Sequence, residues 1–220
     1  MSRSVAPAST PGRSAGKGRA YWLKTLHQWH WISAATCLIG MLLFSITGIT
    51  LNHAAQIDAD PRITTRTLQL PAELQQALAT GAPEAKDKSA PLTTAAARWL
   101  SQELGVDVEG RDAEWSADEV YVSMPRPGGD AWLRIARDSG EVEFERTDRG
   151  WVSYLNDLHK GRHTGAAWSW FIDVFAVACV LFSVTGLFIL KLHAANRPTT
   201  WPLVALGLAI PLLLALLFIH

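Results

Sequence analysis

Three stretches of the chain are apolar for long enough to cross a bilayer: about Ile32–Leu51, Ala166–Leu190 and Pro202–Ile219. A spanning helix needs roughly 20 apolar residues, because the hydrocarbon is about 30 Å thick and each residue rises about 1.5 Å. The first and third stretches contain no charged residue, and the second contains only Asp173. In a water-soluble protein such stretches would need complete burial, which a chain of 220 residues cannot give to three helices. The first run has a basic flank, as a secretory leader does. It exceeds the roughly 7–15 apolar residues of a signal peptide, so a retained span is predicted.

Between the first and second spans the periodicity changes. Over Pro91–Leu104 the residues Leu92, Ala95, Ala96, Trp99 and Leu100 share a helical face. Short alternating runs follow at Val106–Trp115, Glu119–Met124, Ala131–Ala136 and Glu141–Glu145, separated by turn signals at Pro125–Asp130 and Asp138–Gly140. One helix followed by an antiparallel sheet is a small α+β module. The predicted fold is therefore an α-helical membrane protein with three transmembrane helices and an inserted α+β domain. Its parts are a disordered tail over residues 1–21, a first helix over 22–53 and the domain over 54–152. A second helix with its juxtamembrane segment follows over 153–194, and a third over 199–220.

Basic and acidic residues balance at 20 each, so position matters more than net charge. Arg3, Arg13, Lys17, Arg19 and Lys24 precede the first span, and Lys191 and Arg197 lie between the second and third. Short basic segments stay on the cytoplasmic side, which places residues from about 53 to 164 outside. Lys160 and Arg162 oppose this locally, but long translocated loops follow the rule weakly. Tryptophans at 22, 29 and 31, at 168 and 170, and at 201 mark the ends of the spans. Over residues 53–150 there are 18 acidic and 11 basic side chains, a formal charge of −7 that keeps the domain soluble. Cys37 and Cys179 lie inside predicted spans as small apolar residues, with no disulfide framework and no CxxC pair. The α+β module shows no nucleophile–base pairing, phosphate loop or metal-spaced cluster, and by itself reads as a binding or shielding domain.

The first two spans share a repeat: Phe44-Ser45-Ile46-Thr47-Gly48-Ile49 matches Phe182-Ser183-Val184-Thr185-Gly186-Leu187. The two helices run in opposite directions, so the repeat is inverted. Thr-Gly pairs admit a close neighbour, either another backbone or a flat ligand. The seven histidines all fall at or near span ends. Antiparallel packing groups His27, His30 and His193 on one side, and His53, His159 and His163 on the other. Neutral imidazole is a strong ligand for iron, and two rings from neighbouring helices can clamp one haem iron. The plainer alternative is amphipathic rings resting at an interface. The pairs expected are His30 with His193, with His27 as substitute, and His53 with His159, with His163 as substitute or second contact. Lys160 and Arg162 stand where haem propionates would emerge, or where lipid headgroups lie. Asp173 is placed to accept a hydrogen bond from an imidazole or from a Ser or Thr. His220 is terminal and is not expected to act.

The segment Trp29-His30-Trp31-Ile32-Ser33, continuing through Thr47-Gly48 to Asn52-His53, resembles the PepSY-associated transmembrane helix family. So does Leu155-Asn156-Asp157-Leu158-His159-Lys160-Gly161-Arg162, leading to Thr185-Gly186. The intervening module is similar to a PepSY domain, and the likeness covers roughly residues 22–220. It implies b-type haem, one or two per functional unit, on His30, His53, His159 and His193, in a ferric or ferric-siderophore reductase of the inner membrane. It also implies Fe(III) or a ferric chelate as substrate outside. Larger relatives have more helices, which points to a homodimer. The cytoplasmic segments are too short for a nucleotide domain, so the electron donor is a separate reductase, a reduced flavin or a quinol. The bilayer is the other partner, and no nucleic acid is expected. Two alternatives stand beside this reading: a membrane-anchored PepSY binding or regulatory module without redox activity, and a subunit for iron or siderophore uptake.

Overall fold

The computed structural model describes residues 13–57, 60–80 and 89–219. In chain order the elements begin with α1 (Arg13–Asn52), β1 (Arg62–Gln69), α2 (Ala72–Thr80), β2 (Ser89–Pro91) and α3 (Thr94–Leu104). Then come β3 (Asp112–Trp115), β4 (Glu119–Ser123), β5 (Gly129–Ala136) and β6 (Glu141–Asp148). The chain ends with α4 (Gly150–Lys160), α5 (Gly165–His193) and α6 (Thr200–Phe218). They form two units, one of residues up to Leu43 together with Phe171 onward, the other Phe44–Trp170.

The first unit is helical. Three helices are long and apolar enough to cross a membrane, at Ala20–Asn52, Gly165–Asn196 and Thr200–Phe218. Side chains such as Ile39 and Leu42 on α1, Val174 and Val177 on α5, and Leu208 and Leu216 on α6 are exposed in the single chain. This is a membrane protein, and those side chains contact lipid. Within the unit α1 and α5 run antiparallel. The two pack tightly at Gly40, where a Cβ would stand 2.4 Å from the Phe175 ring. Cys37 is fully buried and Cys179 half-buried, both as free thiols. Pro211 does not break α6. The expected tail needs correcting: from Arg13 onward its residues are helical and continue into the first span. A span that must be helical in lipid spares the residues before it the cost of nucleation. The rest of the tail, and His220, lie outside the described residues.

The second unit holds the α+β domain. Its sheet has six antiparallel strands in the order β1-β6-β5-β4-β3-β2. The alternating strands are the ones the sequence marks: β5 buries Ala131, Leu133 and Ile135, and β6 buries Val142 and Phe144. Against them pack Ala96, Ala97, Leu100 and Leu104 of α3 and Leu78 of α2. The helix expected over Pro91–Leu104 starts later, because Pro91 ends β2 and the Thr93 hydroxyl accepts from Ala96 N–H as an N-cap. The run expected as a strand over Val106–Trp115 is extended only from Asp112, since Gly110 takes a positive φ of 69° in the preceding turn. Two outer strands and a second helix complete the module. Strand β1 pairs with β6 and β2 with β3, and α2 lies between them in sequence.

The approach to the second span is also broken into two parts. Helix α4 stops at Lys160, where Gly161 adopts φ 66° and its N–H caps Asp157 and Leu158 carbonyls. The turn passes through His163 at φ 56° and Gly165 at φ 77°, and α5 begins there. Trp168 Nε1 donates to Leu158 O at 2.9 Å, closing the turn. Residues 150–152, assigned to the domain by sequence, therefore open α4.

Candidate functional site

The three-and-three grouping of the histidines coincides with the two units. In the helical unit α1 carries His27 and His30 one turn apart, and α5 ends on His193. In the second unit His53 follows α1, His159 closes α4 and His163 lies in the turn.

Within the helical unit His30 is half-buried against the second half of the repeat. Its Nδ1 lies 3.0 Å from Thr185 Oγ1 and 3.2 Å from Phe182 O. Its ring stacks on Phe182, with centroids 4.7 Å apart and planes 16° from parallel. Gly186 makes room, for a Cβ there would sit 3.3 Å from His30 Cε1. Within the second unit the same construction recurs with the first half of the repeat. His159 Nδ1 lies 2.7 Å from Thr47 Oγ1, its ring centroid 4.9 Å from Phe44, and its Cε1 3.5 Å from where a Gly48 Cβ would be. The flat group admitted by each Thr-Gly pair is thus an imidazole from another helix. Thr47, Thr185, Phe44 and Phe182 are the partners that sequence reasoning passed over, although the repeat itself was the signal for them.

The hydrogen bonds decide the tautomers. Thr185 Oγ1 donates its single hydrogen to the Leu181 and Phe182 carbonyls, at 2.6 and 3.1 Å. Towards His30 it therefore acts as acceptor, so His30 Nδ1 carries the proton. Thr47 Oγ1 donates to Phe44 O at 3.1 Å and pairs with His159 Nδ1. His27, His53 and His193 reach the state of His30 by another route. Their Nδ1 atoms donate to the carbonyls four residues back, Leu23, Ile49 and Ile189, at 2.8, 3.0 and 2.9 Å. A carbonyl only accepts, so in these three rings, and in His30 beside Phe182 O, Nδ1 carries the hydrogen and the neutral ring holds its lone pair at Nε2, while the His159 Nδ1 pairs with the Thr47 hydroxyl. That second-nitrogen anchoring is the arrangement metal-ligating histidines use.

Distances then sort the expected pairs. His27 and His193 meet, with ring centroids 5.9 Å apart and planes at 88°. The expected partner of His193 was His30, which instead belongs to Thr185. The substitute takes that place because His27 lies one turn nearer the helix start, level with the end of α5. On the other side His159 turns to Thr47, and among the described residues no ring contact joins it to His53. His163 is committed: its Nε2 accepts from Arg162 Nε at 3.2 Å. Asp173 is exposed on α5, and no imidazole or hydroxyl meets it among the described residues.

The residues beside His159 anchor α4. Asn156 Oδ1 accepts from Thr50 Oγ1 at 2.8 Å, tying α4 to the end of α1. Asp157, buried, accepts from Gly128 N–H at 2.9 Å and so ties α4 to the β4–β5 turn. The run Asn156-Asp157-Leu158-His159 thus places one imidazole by fixing its helix on two sides.

Between the start of α1 and the end of α5 lies an apolar pocket of about 380 Å³ lined by Trp22, Leu23, Leu26, Phe188 and Leu192, with Lys191 as its cation; neither His27 nor His193 lines it. Among the described residues no three His, Cys, Asp or Glu side chains cluster as a bare metal ion would require.

A family model described as PepSY_TM-like matches residues 21–220 of this chain. No curated protein matches it, and no solved structure does.

Proposed function

The chain belongs to the PepSY_TM-like family, and on that premise we propose that it is a b-type haem protein of the bacterial inner membrane. Its role in this reading is to pass electrons outward and reduce ferric iron or a ferric chelate in the periplasm. The N-terminus is then cytoplasmic and the α+β domain periplasmic, as the basic residues flanking the spans require.

The observation that carries the reading is the common state of five imidazoles, each anchored through Nδ1. A bis-histidine haem supplies one-electron transfer with both axial positions filled, which discourages oxygen chemistry. His27 and His193 are the pair that fits it. They would hold it between two helices, their ring centroids 5.9 Å apart and their planes at 88°. Lys191, two residues before His193, would supply a cation for a propionate. Thr185 holds the proton on His30 Nδ1, and Phe182 covers its ring, keeping a second basic Nε2 in reserve in the same unit. His159 is seated in a similar way by Thr47 and Phe44. His27 and His193 are both exposed in the single chain, so a second copy is the natural cover, and the proposal includes a homodimer.

The test is the visible spectrum of the detergent-purified protein before and after dithionite. A Soret band that shifts on reduction, and is lost in His27→Ala and His193→Ala, supports the reading. A colourless protein from haem-replete cells overturns it and leaves a membrane-anchored binding module. Ferric chelate reduction by the reduced protein, measured by ferrous trapping, tests the acceptor.

A further inference from the structure

The core face of the sheet is not covered along its whole length. On that face β1 and β6 align Arg62 with Asp148, Thr64 with Arg146, Arg66 with Phe144 and Leu68 with Val142. Towards the Leu68–Val142 end the face is closed by the helices, and Val142 and Phe144 are buried in the core. Towards the Arg62 end it opens into a groove of about 650 Å³. Leu104, Val106 and Phe144 supply its apolar wall, and Arg62, Arg66 and Arg146 line it.

Three guanidinium-bearing residues on one face of an acidic domain are unusual company. Among the described residues none of the three forms an ion pair. Arg62 and Arg146 form no hydrogen bond among the described residues either, and Arg66 reaches the Leu104 carbonyl at 3.5 Å. Other arginines of the domain are satisfied: Arg126 by Asp148, Arg134 by Glu119 and Glu143, Arg149 by Asp130. Asp148 lines the same groove, where Arg126 pairs with it at 3.0 Å and Arg146 stands near enough to act on its charge as well. Asp60 is the other acid there. Charged residues on β1 also discourage edge-to-edge pairing, since β1 is an edge strand. Edge protection does not explain Arg146, which lies on the inner strand β6 and faces the same cavity.

We propose that this groove binds a polyanion carrying two or more carboxylate or phosphate groups. Arg62 and Arg66 are four residues apart, about 13 Å along the strand, and Arg146 stands across from Thr64, between them. The three guanidinium groups line one opening, so a ligand with two or more anionic groups can engage more than one of them at once. Guanidinium forks pair with carboxylate and phosphate in a bidentate manner, and the apolar wall accommodates the carbon skeleton between the charges. A soluble polyacid and the phosphate of a lipid headgroup share this chemistry. The proposal does not depend on haem.

Titration calorimetry of the full chain with citrate and with pyrophosphate tests it, in nanodiscs of neutral lipid and of lipid containing phosphatidylglycerol. Saturable binding is expected, weakened about tenfold or more in the Arg66→Gln/Arg146→Gln double variant. It should be restored only in part by Arg66→Lys/Arg146→Lys, which keeps the charge and loses the fork, and unchanged in Arg98→Gln, which lies outside the groove. Equal affinity in both nanodiscs assigns a soluble ligand. Competition by phosphatidylglycerol assigns a lipid headgroup to the same site. Absence of saturable binding in neutral nanodiscs, or binding indifferent to the double variant, overturns the proposal.

Discussion

Thr47 Oγ1 lies 2.7 Å from His159 Nδ1, a hydrogen bond between residues 112 positions apart in sequence. Thr185 Oγ1 and His30 Nδ1 are joined in the same way at 3.0 Å. Each half of the internal repeat is therefore a seat for one imidazole, made of a hydroxyl, an aromatic cover and a glycine.

Replacing the hydroxyl should unseat the ring. Thr47→Val and Thr185→Val each leave a half-buried Nδ1 without its side-chain partner, a loss of about 1–3 kcal/mol. Thr→Ser at either position keeps the hydroxyl and should stay within about 0.5 kcal/mol. Thermal unfolding in detergent reads the difference, and equal melting of the Val and Ser variants would show that the hydroxyl contributes nothing.

The glycines should rank by the space beside them. Alanine in a helix interior gains about 1 kcal/mol over glycine from propensity. At Gly48 the added Cβ meets His159 at ordinary contact distance, 3.5 Å, so Gly48→Ala should be neutral or stabilising. At Gly186 the distance is 3.3 Å and the gain is offset by a shifted imidazole. At Gly40 it is 2.4 Å from the Phe175 ring, and overpacking should cost about 1–3 kcal/mol. The expected order of melting temperature is Gly48→Ala, then Gly186→Ala, then Gly40→Ala.

Asp157 should be the most sensitive residue of α4. Its buried carboxylate accepts from Gly128 N–H, and removal strands that donor, so Asp157→Ala should cost about 2–3 kcal/mol. Gly128 should be equally intolerant. Its φ of 73° disfavours any side chain, and a Cβ would stand 2.8 Å from Tyr154 Cβ. Proteolysis near the β4–β5 turn, faster in both variants than in wild type, checks this.

Asp148 makes a pH-dependent contribution. The Gly150 N–H first, and the Arg126 guanidinium second, hold its carboxyl below the usual aspartate range. A depressed folded-state pKa stabilises the protein above the unfolded value near 3.9 and ceases to do so as pH falls through the folded value. Asp148→Asn should therefore melt below wild type at neutral pH, with the gap closing as the pH falls below the usual aspartate range. A gap that persists unchanged in acid would show that the charge is irrelevant.

The three spans were legible because lipid demands some twenty consecutive apolar residues, a property any stretch of sequence displays by itself. Strands β4, β5 and β6 were legible for a similar reason, since one-sided burial writes alternation into Val120, Val122, Leu133, Ile135, Val142 and Phe144. Strand β1 was not. Arg62–Gln69 is exposed at nearly every position, and its pairing with β6 is a backbone matter that side chains do not announce. Nor was α2, which buries Leu78 alone. The histidines were legible as two groups of three, because antiparallel helices leave their ends no other arrangement. Which ring meets which was a tertiary decision. His27 and His30 differ by three residues, roughly 4.5 Å along the helix axis. That height difference, with the phase of α5, sends one to His193 and the other to Thr185. Contacts of that size depend on how two helices settle against each other, and no local pattern in either helix contains that information.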